Sequence, residues 1–157
     1  MKRLVVVPFL ALLAGLCAGF SADDTIELAV VVNKSNPLDT ITTADLRSMI
    51  LGEKSKWPDG KKVTAVETPP ESRERALMLK DVCKMSEAVL KRYFMQAAFT
   101  GKDVAQPQDV ASAAALKQFV GRTPGAVGFI LASEADETVK VLKVDGMAPG
   151  EPGYKLR

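Results

Sequence analysis

The chain has 157 residues, enough for one core of ordinary domain size, and it contains no histidine. That removes the usual general base and the commonest metal ligand, so neither a catalytic group nor a metal site is expected. A formal charge of +2, from 21 basic and 19 acidic residues, supplies no basic field suited to nucleic acid.

Met1-Lys2-Arg3, then the apolar run "LVVVPFLALLAGLC" and small residues, reads as a secretory signal peptide over residues 1–22. Residues 23–157 are then the mature domain, placed in the periplasm. Pro8 interrupts the run and Asp23-Asp24 follows it closely, whereas a permanent span needs about 20 apolar residues. No stable membrane span is therefore expected after cleavage. Before Cys17 stands Leu16, where a lipobox needs a small residue, so simple secretion is favoured over lipidation. The mature chain keeps one cysteine, Cys83, which rules out an internal disulfide and reads as a buried small hydrophobe in a helical pattern.

The first mature element, "IELAVVVN", is a β-branched apolar run typical of a strand buried on both faces, and so central in its sheet. After the turn-rich "NKSNPLD", Thr42 and Asp45 form a capping-box pattern before the helix "TADLRSMI", which Gly52 closes. Pro58-Asp59-Gly60 predicts a turn, and Lys62 to Val66 a second strand. Helices follow in series. One holds Met78, Leu79, Val82 and Met85 on a face; the next, from Ser86, presents Val89, Leu90, Tyr93, Phe94, Ala97 and Ala98 and ends near Gly101; a third spans about Gln108 to Val120. "RTPGAVGFILAS" then reads as a tight turn feeding a strand, and "ETVKVLKVDG" as the last strand. The order describes an α/β architecture, a mixed sheet with helices packed on it.

The stretch "VETPPESRERALML" admits two readings. Thr68 as N-cap, Pro69 at the first helical position and Glu71 three residues on make a self-contained capping box. Alternatively, Ser72 with neighbouring backbone N–H groups, helped by Arg73 and Arg75, offers an anion site. From Glu67 to Arg75 there are three acidic residues against two basic ones, a balance that favours the capped helix start. Trp57 is expected to pack over its loop. The Lys54, Lys56, Lys61 and Lys62 cluster is either a solvated face or an electropositive rim. Ser72 has neither a histidine nor a Ser-x-x-Lys arrangement to activate it, so no enzyme is read here.

Four stretches in order, "VVNKSNPLDTITTADLRSMILGEKSKWPDGKKV", the Pro-Glu-Ser helix start, "YFMQAAFTGK" and "TPGAVGFI", resemble phosphate ABC transporter substrate-binding proteins of the type 2 periplasmic binding class. The resemblance runs from about Ala29 to Tyr154. It implies a single lobe of a fold that is two-lobed in full-length members, with no cofactor. It also implies a ligand of the phosphate or small-oxyanion class, and an ABC permease or another envelope protein as partner. The glycine- and serine-rich segment that opens such proteins is missing. On aligning Ser72, Thr68 stands where the family has an arginine, and Ser72-Arg73-Glu74 replaces its Ser-Gly-Thr. The alternative is a protein-interaction or sensing module built on the same lobe, without a tight ligand.

Overall fold

The computed structural model describes residues 26–157; the proposed signal peptide over residues 1–22 lies outside them. One six-stranded mixed sheet organises the chain, in the order β2-β6-β1-β5-β3-β4. Its strands are β1 (Leu28–Val32), β2 (Thr40–Ile41), β3 (Thr64–Glu67), β4 (Gln108–Asp109), β5 (Ala126–Leu131) and β6 (Lys140–Val144). β1 is buried along its whole length, as its apolar run predicts, and pairs antiparallel with β5 and β6. Beyond β5 the direction changes, because β3 pairs parallel with both β5 and β4.

The two faces of β1 feed two cores. Leu28, Val30 and Val32 meet Val127 and Phe129 of β5 beneath helix α1 (Thr43–Ile50), the Met78–Cys83 segment and helix α3 (Glu87–Phe99). Ala29 and Val31 point the other way, with Ala126 and Ile130, onto Leu116 and Val120 of helix α4 (Ala113–Arg122). Alternation along a strand thus lets one five-residue run serve helices on both sides. Gly128 shows how closely α4 approaches: a Cβ there would lie 2.7 Å from Leu116 Cδ2.

Local signals decide the helix ends. Thr42 caps α1 by accepting from Asp45 N at 3.0 Å, Ser86 caps α3, and Gly52 and Gly101 close their helices with positive φ. Ser112 caps α4, so that helix begins later than its apolar pattern suggests; Gln108 and Asp109 instead form the edge strand β4. The second strand likewise begins at Thr64 rather than Lys62. Lys117 of α4 pairs with Asp136 at 2.6 Å.

The motif residues that carry the resemblance do structural work. Trp57 is buried and donates from Nε1 to Gly125 O at 2.8 Å, so it packs as expected. Gly125 adopts φ +89°, and a Cβ on it would come within 2.2 Å of Lys62 O. The "PGAVGF" turn is therefore glycine-dependent at this close crossing. Cys83 is buried without a disulfide partner.

Candidate functional site at the ends of the parallel strands

β3 and β4 lie in register, with Glu67 opposite Asp109 at their carboxyl ends. Open α/β sheets characteristically place ligands outside such ends. From Glu67 the chain passes through Thr68, Pro69, Pro70 and Glu71 into helix α2 (Arg73–Leu77), which continues into a π-helical turn at Met78–Cys83. The π-turn brings residues five apart over one another, so that Cys83 Sγ contacts Met78 Sδ at 3.4 Å.

Ser72, not Thr68, is the N-cap of α2: its hydroxyl accepts from Arg75 N at 3.2 Å. Thr68 Oγ1 lies 2.7 Å from Ser72 Oγ, so the threonine supports the cap instead of forming it. Two prolines in succession explain the shift, since each biases the residue before it away from helical backbone. Glu71 remains exposed. The helix-start reading therefore holds with its cap moved four residues downstream.

The three residues suggested as an anion site separate into different environments. Ser72 faces Thr68, while Arg73 is exposed and free of ion pairs among the described residues. Arg75 is buried inside an acidic cluster. Its Nε and Nη2 donate to the two oxygens of Glu87 at 2.9 and 2.7 Å, a fork-to-fork pair. Nη1 donates to Glu67 Oε2 and lies 3.7 Å from Asp109 Oδ1. Three carboxylates from β3, α3 and β4 thus surround one guanidinium.

The division of that charge is uneven. The Arg75 fork holds Glu87 below the usual carboxylate range. Glu67 goes the other way, raised to about 7: burial dominates, partly offset by Arg75 and reinforced by the charges of Asp109 and Glu87. Glu67 Oε1 is buried without a hydrogen-bond partner. Burial also pushes the Cys83 thiol up to about 12, which fits a core side chain rather than a nucleophile. Beside the cluster lies a groove of about 430 Å³, walled by Leu90, Phe94, Met95 and Pro107 and edged by Lys91. Among the described residues no His/Cys/Asp/Glu group has the arrangement of a metal site, and no helix is long and apolar enough to cross a membrane.

Sequence reasoning singled out Ser72, Arg73 and Arg75 but did not place Glu67, Glu87 and Asp109 around the Arg75 guanidinium. Glu67 carried a readable signal, an acid directly following the apolar alternation of a strand. Glu87 and Asp109 carried none beyond their positions near the starts of two expected helices, and Asp109 in fact lies in the edge strand β4.

No family model matches the chain. Its fold is shared with solved structures of substrate-binding proteins. An ABC-type phosphate transport receptor from Vibrio cholerae superposes with a TM-score of 0.68 at 21% identity, over 83% of this chain and 53% of that one. A protein from Clostridium perfringens, assigned as a phosphate ABC transporter substrate-binding protein and solved with phosphate, gives 0.63 at 20% over 78% and 46%. PstS from Borrelia burgdorferi gives 0.63 at 15% over 79% and 49%. The chain spans about half the length of these structures, and the match bears out the α/β, single-lobe reading.

Proposed function

We propose that this chain is a one-lobe solute-binding-type module of the periplasm, working with a partner protein and holding phosphate or a similar small oxyanion only weakly by itself. The observation that carries this reading is the engagement of Arg75: its guanidinium is spent on Glu87 and Glu67. What remains for an anion is the Thr68–Ser72 hydroxyl pair, the N–H groups of Arg73 and Glu74, and the exposed guanidinium of Arg73. Glu67, Glu87 and Asp109 oppose any anion placed beside them.

The likeness to phosphate-transport receptors supports the solute-binding role, and the half-length match supports a need for completion, with an ABC permease or another envelope protein as the partner class. A binding role rather than catalysis also agrees with a chain that has no histidine. Calorimetric titration with phosphate tests the proposal. The wild-type chain should show at most millimolar affinity, and Glu87→Gln, which releases the Arg75 fork, should tighten binding by about tenfold, the equivalent of 1.4 kcal/mol. Micromolar binding by the wild type would overturn the neutralised-arginine reading.

A further inference from the structure

The groove beside Arg75 leaves one chemical demand unmet. Glu67 lines it at the end of β3 and is 5% exposed; its Oε2 accepts from Arg75, while its Oε1 is buried with no hydrogen-bond partner. A carboxylate oxygen taken out of water without a donor is costly, and such a group calls for an explanation. Arg75 does not supply the donor. Its Nε and Nη2 go to Glu87 and its Nη1 to Glu67 Oε2, with Asp109 Oδ1 3.7 Å away. Lys91, the other cation at the groove, is exposed and stands one helical turn beyond Glu87.

Charge and shape narrow the ligand. The groove is lined by two cations, Arg75 and Lys91, against the three carboxylates of Glu67, Glu87 and Asp109, a balance of −1 when all are ionised. One added cation neutralises the site, whereas an added anion doubles its imbalance. A divalent metal ion takes about six or more oxygen ligands. Here both oxygens of Glu87 and one of Glu67 already accept from the guanidinium, which leaves too few. A quaternary ammonium has no N–H to give Oε1. The groove volume, about 430 Å³, is that of a small-molecule site, and Leu90, Phe94, Met95 and Pro107 give it an apolar wall. Glu67 also borders a void of about 10 Å³, room for one water at most, so an organic ligand reaches it only from the groove. We propose that this groove binds a small organic cation, a primary ammonium on an apolar body, whose N–H groups donate to Glu67 Oε1 and Asp109 while the body lies along Phe94 and Met95.

The site is separate from any phosphate at Ser72, and its test does not depend on that reading. Calorimetric titration of the purified chain at pH 8 compares phenethylamine with 2-phenylethanol, which lacks the charge, and with 3-phenylpropanoate, which reverses it. The amine should bind about tenfold or more tighter than the alcohol, and the carboxylate should not bind. Glu67→Gln keeps the side-chain shape, and it should weaken the amine by about tenfold or more while the variant still unfolds cooperatively; Asp109→Asn, at the exposed edge strand, should weaken it too. The charged groups around Glu67 are Arg75 and Glu74 from α2, Glu87 from α3 and Asp109 from β4. Burial raises the Glu67 carboxyl to about 7, and a bound ammonium favours its ionised form. Amine affinity should therefore fall by about tenfold or more from pH 8 to pH 5 in the wild type, and the fall should be much smaller in Glu67→Gln. No heat at millimolar phenethylamine overturns the proposal. So does equal binding of amine and alcohol, which makes the groove merely apolar, or amine binding that survives both substitutions, which puts it elsewhere. Preferential binding of the carboxylate overturns the charge argument and the proposal with it.

Discussion

Replacing Glu67 by glutamine isolates the charge that the acidic cluster carries in the interior. Glu67 is 5% exposed, and burial raises its carboxyl from the ordinary 4.5 to about 7. The folded state therefore takes up a proton over a pH range where the unfolded chain has already lost it. Stability from this group is fully present below about pH 4.5 and is lost as pH rises through 7. Between pH 5 and 8 the difference amounts to about 2–3 kcal/mol, which lowers the urea midpoint by about 1–2 M. Few other groups blur the window: the chain has no histidine, burial pushes the Cys83 thiol up to about 12, and Glu87, Asp45 and Asp145 are all shifted downwards. Urea unfolding at several pH values measures the effect. Wild type and Glu67→Gln should have similar stability at pH 5, and the glutamine variant should be the more stable by about 2 kcal/mol at pH 8. A wild-type midpoint that stays flat from pH 5 to 8, or a slope that survives the substitution, would refute the reasoning.

Three further outcomes follow from the packing. Gly128→Ala drives a methyl group into Leu116 at the contact between α4 and the sheet, and should cost about 1–3 kcal/mol in denaturant unfolding. Trp57→Phe removes the Nε1 bond to Gly125 O, an oxygen that keeps the Thr64 N–H as a donor, so a loss of only about 1–2 kcal/mol is expected, with no change of fold by circular dichroism. Cys83 should resist a thiol reagent at neutral pH in the native protein and react on unfolding; rapid native labelling would contradict its burial.

The parts of the fold that were legible are those fixed by short-range chemistry. "LAVVV" could serve no place but a central strand, because alternating its faces buries apolar residues both ways. Thr42, Ser86, Gly52 and Gly101 mark helix ends by direct hydrogen bonding or by a left-handed backbone, and each does so. Thr68 shows the limit of such reading. It has the right chemistry for a cap, but the two prolines after it delay the helix until Ser72 takes the role. At Gln108 and Asp109 the controlling influence is the open edge of β3, which recruits two polar residues into a ladder that their own propensity does not favour.

The site was hidden for a related reason, with consequences for function. Arg75 is separated by eight residues from Glu67, by twelve from Glu87 and by much more from Asp109. No helical or strand period joins these positions; only the parallel pairing of β3 with β4 and the placement of α3 bring them together. Read linearly, Arg75 looks available to an anion, with Glu67, Glu71 and Glu74 as the nearby acids. In the fold Glu71 and Glu74 lie outside the cluster, while the acids that hold Arg75 come from β3, α3 and β4. Removing one carboxylate does not simply restore an anion grip, because the guanidinium would still serve the other two. Single substitution at Glu87 frees the fork but leaves Glu67 and Asp109 in place, so any gain in phosphate affinity should be salt-dependent and should grow when Asp109→Asn is added. A Glu87→Gln, Asp109→Asn double variant that binds phosphate no better than wild type would show that the acidic cluster around Arg75 is not what limits the affinity.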